Sequence, residues 1–79
     1  LPRTYVALDL ETTGLNASRD AIIEVGAVKF TDGEPVDRYS TLVDPGRPIP
    51  YEITLLTGIS DRDVAGKPRF DQVAGPLMR

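Results

Sequence analysis

Apolar and polar residues follow two different rhythms along this chain, a strand-like alternation in the first half and a helix-like spacing in the second. The run Tyr5-Val6-Ala7-Leu8-Asp9-Leu10 predicts a first strand over about residues 5–10, followed by a polar loop, Asn16-Ala17-Ser18-Arg19-Asp20. Ala21 through Phe30 is rich in β-branched residues and apolar at both alternating sets of positions, the pattern of a strand covered on both faces. Asp32-Gly33 is a tight-turn dipeptide, so a third strand over about residues 36–43 should pair antiparallel with the second. Val36, Arg38, Ser40 and Leu42 share one of its faces, and Asp37, Tyr39, Thr41 and Val43 the other. Neither face is cleanly apolar, which suits an edge strand.

Pro45, Gly46, Pro48 and Pro50 then hold the chain extended. A short helix over about residues 51–57 follows, with Gly58 in the left-handed position that ends it, and Ser60 to Val64 forms another helical turn. Phe70, Val73, Ala74, Leu77 and Met78 recur at i, i+3, i+4, i+7 and i+8, one face of an amphipathic helix. Gly75-Pro76 interrupts that helix without erasing its apolar face. The pattern is still running at Arg79, so the sequence reads as the beginning of something longer.

Composition narrows the field. Seventy-nine residues make one small domain near the size at which a single core is marginal. A hydrophobic fraction of 41% and a charged fraction of 27% are those of a soluble globular chain. No apolar stretch approaches the roughly 20 residues a membrane helix needs, so no membrane partner is expected. Leu1-Pro2-Arg3-Thr4 leads straight into a strand with no secretory signal. The absence of cysteine removes disulfides and thiolate metal sites, fits a reducing compartment, and leads us to expect a cytoplasmic location. A net charge of −3 argues against a general basic wrap around nucleic acid, but not against a nucleic-acid substrate if bound metal ions offset acidic site residues.

The chemistry concentrates at Asp9 and Glu11. Two residues apart on a strand, they leave the same face, and Thr12-Thr13-Gly14 follows at once. Two like charges that close, beside so much hydrocarbon, repel each other and lose solvation. A divalent cation supplies the missing positive charge, so the pair points to a metal site. Glu24 lies mid-run in the apolar second strand and should be paired, hydrogen-bonded or at a sheet edge; it is read as structural and kept out of the metal site. Gly26 is expected to let a neighbouring chain or helix approach closely. Arg62, Asp63, Lys67 and Arg69 read as a solvated face.

The stretch Leu8-Asp9-Leu10-Glu11-Thr12-Thr13-Gly14-Leu15, with Ile22-Ile23-Glu24-Val25-Gly26-Ala27-Val28, resembles the first exonuclease motif of the DnaQ-like (DEDD) 3′–5′ exonucleases. Pro48-Ile49-Pro50 and Leu55 through Asp61 also look like the matching family segment. The resemblance implies an α/β, ribonuclease H-like fold with a mixed sheet. Residues 1–79 would be the N-terminal half of that domain: a three-stranded antiparallel meander followed by short helices, with the later motifs absent.

By the same resemblance the catalytic and metal residues are Asp9 and Glu11. Asp9 would bridge two divalent ions, Mg2+ or Mn2+, and Glu11 would ligate one of them. Thr12, Thr13, Gly14, Leu15, Glu52, Leu56 and Thr57 match substrate-binding positions, Thr57 standing where some members carry histidine. The implied activity is hydrolysis of phosphodiester bonds from a single-stranded 3′ end, on DNA rather than RNA, in a proofreading or repair enzyme with a polymerase or helicase module as possible companion. With no histidine in the chain, the histidine-type general base must come from elsewhere, so residues 1–79 alone should be inactive. An exoribonuclease, and a non-catalytic nucleic-acid-binding or docking domain on the same fold, are the competing readings.

Overall fold

Two antiparallel connections build a three-stranded sheet in the order β1-β2-β3, with β1 spanning Thr4–Thr12, β2 Ile22–Thr31 and β3 Glu34–Leu42. The computed structural model describes residues 3–16 and 18–77. β2 is central because its side chains are apolar in both directions, whereas β1 and β3 each leave one edge free.

The hairpin between β2 and β3 has a physical signature. Asp32 and Gly33 both take positive φ, 52° and 82°, the requirement of a two-residue turn whose twist matches its strands. Asp32 also ties down the start of β1: its carboxylate accepts the Arg3 N–H at 2.9 Å and its N–H donates to the Arg3 carbonyl at 2.8 Å. So short a turn lets pairing resume at Glu34, two residues before the sequence pattern suggested. Pro35 is tolerated there because β3 is an edge strand. The register then skips Val36, pairing Lys29 with Asp37.

A second irregularity decides where the core lies. Glu11 pairs with Glu24 but Thr12 pairs with Ile22, so Ile23 is bulged out of register. Ile23 and Val25 should share a face in a regular strand, yet they belong to different clusters. Ile23 packs with Ile49, Ile59 and Val64, joined by Leu42 and Ile53. Val25 packs with Val43 and Val73, joined by Ile22. The second half of the chain therefore packs on the Glu24 end of the sheet in two separate clusters.

The helices follow their local signals. α1 (Tyr51–Thr57) ends at Gly58, whose φ of 78° is left-handed and whose N–H returns to the Thr54 carbonyl at 2.8 Å. α2 (Asp61–Val64) begins at Ser60, whose backbone N–H and hydroxyl both donate to the Asp63 carboxylate, at 2.9 and 3.0 Å. The backbone bond, then the hydroxyl bond, hold the Asp63 carboxyl below its ordinary value. Asp61 in turn accepts the Ile49 N–H at 2.7 Å and fastens the proline-rich connection to α2. α3 (Phe70–Leu77) buries Val73 as its periodicity requires. Met78 and the side chain of Leu77, assigned to that same face, lie outside the described residues.

Candidate active site

β1 runs two residues past Leu10, through the pairs Leu10–Val25 and Glu11–Glu24, so both carboxylates sit on the strand itself. Directly paired residues share a face. One row across the sheet therefore reads Asp9–Gly26–Ser40 and the next Glu11–Glu24–Leu42. Neither row contains a basic side chain. Asp9 is exposed and Glu11 half-buried.

Among the described residues nothing approaches Gly26 closely: a β-carbon there would meet only Asp9, at 3.8 and 4.0 Å, ordinary van der Waals distance. Glu24 is not at an edge. It lies half-buried on the central strand, opposite Glu11, a placement created by the register and invisible in a linear pattern. Among the described residues no group of three or more metal-ligating side chains gathers.

Beyond Glu11 the chain leaves the sheet in a tight loop. The Thr12 hydroxyl donates to the Gly14 carbonyl at 2.5 Å and accepts the Gly14 N–H at 3.3 Å. Thr13 is buried, 5% exposed, while Leu15 projects wholly into solvent. Across from this loop stands the start of α1. Thr13, Gly14, Leu15, Arg19, Asp20, Arg47, Pro48, Pro50, Glu52 and Ile53 line an open groove of about 470 Å³ between them.

That groove gathers four of the proposed substrate residues, Thr13, Gly14, Leu15 and Glu52, although the last is 37 positions beyond Leu15 in a different element. Thr12, Leu56 and Thr57 are not among its lining residues, and neither are Asp9 and Glu11. Leu56 is exposed, and the Thr57 hydroxyl donates to the Ile53 carbonyl at 2.8 Å while accepting the Ile59 N–H at 3.1 Å. Its proton is committed to closing α1, which leaves none for a ligand. The three tyrosines are likewise elsewhere: Tyr5 stacks on Phe30 at 5.0 Å, Tyr39 lies on the sheet face opposite Asp9, and Tyr51 opens α1.

The groove also contains residues the sequence did not single out as site residues. The Arg47 guanidinium donates to the Arg19 carbonyl, bridging the connection to the loop. Asp20 lies under Gly14. The signal was there in part: a carboxylate one residue before Ala21-Ile22, at the mouth of a covered strand, needs donors nearby.

With this geometry in place, the comparisons with known proteins are decisive. The family model described as exonuclease matches residues 6–78. This chain belongs to the exonuclease family. Among its relatives, the PolC-type DNA polymerase III of Clostridium perfringens is 53% identical over 74 residues, which is 94% of this chain and 5% of that protein. The DNA polymerase III epsilon subunit of Treponema pallidum is 41% identical over 75 residues, 95% of this chain and 35% of that protein. The solved structure of exonuclease X in complex with 5′ overhanging duplex DNA superposes with a TM-score of 0.81 at 33% identity, over 91% of this chain and 42% of the other. The DnaQ-like resemblance and the ribonuclease H-like fold, represented here by its antiparallel meander and short helices, are both correct. This exonuclease chain spans only a small part of the curated relatives, and no described helix in it is long and apolar enough to cross a membrane.

Proposed function

We propose that this chain is the N-terminal half of a 3′–5′ exonuclease domain acting on DNA, and that it supplies two metal-binding carboxylates and one wall of the 3′-nucleotide groove. The observation that carries the reading is the adjacency of Asp9 and Glu11, on one face of β1, to a loop that forms a groove with Glu52. The relatives named as DNA polymerase III, and the structure named as an exonuclease on DNA, support DNA as substrate and a polymerase module as companion. A replicative parent of that kind works in the cytoplasm.

The donor set fits hard divalent cations such as Mg2+ or Mn2+, which take carboxylate oxygens and retain several waters. Asp9 and Glu11 share one face of β1, with Glu24 opposite Glu11 and Arg38 one row beyond Asp9, and cations bound on the pair would relieve the repulsion. When bound, a pair of such ions activates water and stabilises charge on the attacking and leaving oxygens. Asp9 and Glu11 would be the residues that hold these ions. Leu15, fully exposed in the loop that follows the acidic pair, offers an apolar surface to the terminal base, and Gly14 and Glu52 flank it in the groove. Among the described residues no third metal-ligating side chain joins the pair, and the sequence has no histidine, so hydrolysis would need groups from the rest of the parent.

The test uses the full-length parent with 3′-end-labelled single-stranded DNA and RNA, with and without chelator. Asp9→Ala and Glu11→Ala each should lower metal-dependent turnover on the order of 10²-fold or more, the scale of losing one charge-stabilising group. Near-wild-type turnover by either variant refutes the site, and faster hydrolysis of RNA than of DNA refutes the substrate.

A further inference from the structure

We infer that Asp20 is a positioning residue of this site: its carboxylate locks the Thr12–Leu15 loop in place through Thr13, and position 14 is glycine to admit it. The inference deepens the reading above, since the loop it locks is the proposed nucleotide wall.

The geometry is a closed ring of hydrogen bonds between the end of β1 and the start of β2. One Asp20 oxygen accepts the Thr13 hydroxyl at 3.1 Å and the other accepts the Asn16 N–H at 2.8 Å. The Asp20 N–H donates to the Asn16 carbonyl at 2.7 Å. Thr13 completes the circuit: its oxygen accepts the Ala21 N–H at 2.9 Å and its own N–H donates to the Ala21 carbonyl at 2.9 Å. The Thr13 hydroxyl is therefore used as both donor and acceptor inside the protein, in the most buried polar side chain among the described residues. Its role is to pin the loop, and nucleotide contacts fall to its exposed neighbours.

Gly14 lies directly over the carboxylate. A β-carbon there would come within 2.5 Å of one Asp20 oxygen and 2.8 Å of its carboxyl carbon. Asp20 cannot retreat without breaking bonds at both of its oxygens. A third fact separates this device from the metal ligands: Asp9 and Glu11 are placed by the β1–β2 ladder, which does not pass through Asp20. Loosening the ring should thus shift Thr12, Gly14 and Leu15 while leaving the acidic pair where it is.

The variants follow from donor and acceptor chemistry. In Asp20→Asn the amide nitrogen donates and cannot accept, so one of the two links is lost. Thr13→Val keeps the shape and loses both hydroxyl bonds, whereas Thr13→Ser keeps both. In the full-length parent three quantities are measured: the Kd for a single-stranded DNA oligonucleotide in Ca2+, Mn2+ affinity by electron paramagnetic resonance without DNA, and the KM-against-kcat split in Mg2+. Asp20→Asn and Thr13→Val should raise Kd and KM by about tenfold or more, the scale of displacing a substrate-positioning group. Their Mn2+ affinity should stay within about twofold of wild type, and Thr13→Ser should regain most of the DNA affinity that Thr13→Val loses. Wild-type Kd in the Thr13→Val protein overturns the inference, as does DNA affinity lost only in step with Mn2+ affinity. If wild-type protein binds DNA but no Mn2+, the metal reading fails instead, and the Thr13→Val and Thr13→Ser pair still decides the role of Asp20 by Kd.

Discussion

Glu11 and Glu24 face each other on neighbouring strands, in a row that holds no basic residue. Like charges directly opposite on a sheet destabilise it by roughly 0.2–1 kcal/mol. Glu24→Gln in the full-length parent should therefore stabilise the protein by about that amount in chelator, and by less in excess Mg2+ if Glu11 holds the proposed ion, which would already offset the repulsion. Denaturant unfolding in the two buffers checks this, and equal effects in both would deny the coupling. At this scale the acidic pair was fully legible, because strand alternation alone places residues i and i+2 on one face. Glu24 was not. Its partner lies 13 positions away, and only the register of β1 against β2 identifies it. Asp20 escaped for the same reason, since its carboxylate gains meaning from a loop that folds back over it.

Elements were easier to read than residues. Tyr51–Thr57 carries a helix over the bounds its pattern suggests, because Pro50 precedes it and Gly58 follows. No atom outside its immediate chain neighbours lies within 4 Å of where a Gly58 β-carbon would sit, so Gly58→Ala tests conformation alone. The left-handed φ of 78° should make that substitution cost about 1–2 kcal/mol. Urea titration of the full-length parent measures it, and an unchanged midpoint would show that α1 does not depend on its left-handed stop. The strands were placed correctly, but their ends moved by one or two residues. β1 lengthens because pairing with Val25 and Glu24 continues past the apolar run, and β3 starts early because its turn has two residues. The bulge at Ile23 had no local signal. It accompanies a split of the core, Ile23 joining Ile49 and Ile59 while Val25 joins Val43 and Val73.

Over the whole molecule the chain is long and thinly covered. Its radius of gyration is 14.1 Å, against about 12 Å for a compact chain of this length. Its accessible surface of 5835 Å² exceeds the roughly 4,700 Å² expected for its mass. Part of the excess lies on the sheet, where Val6, Leu8 and Leu10, on the face that buries Val25 and Ala27, remain 51%, 57% and 43% exposed. β1 adds an unpaired edge beside them. Residues 1–79 expressed alone should consequently self-associate and unfold at low temperature. A stable monomer by size-exclusion chromatography with light scattering, and a cooperative high-temperature transition, would contradict this.

What the amino-acid order settled without any coordinates was everything governed by near neighbours: the alternation that forms β1 and β2, the Asp32-Gly33 reversal, the helix stops, and two carboxylates on one face. Those features depend on dihedral preferences and on side-chain spacing of two or 3.6 residues, which a linear string displays directly. The tertiary structure alone decided which carboxylate faces Glu11, that the Thr57 proton is spent inside α1, and that Glu52 shares a groove with Leu15. Each of these rests on a register, a bulge or a folded-back loop. Such contacts join positions far apart in sequence, and their energies are fixed only when the strands and helices meet.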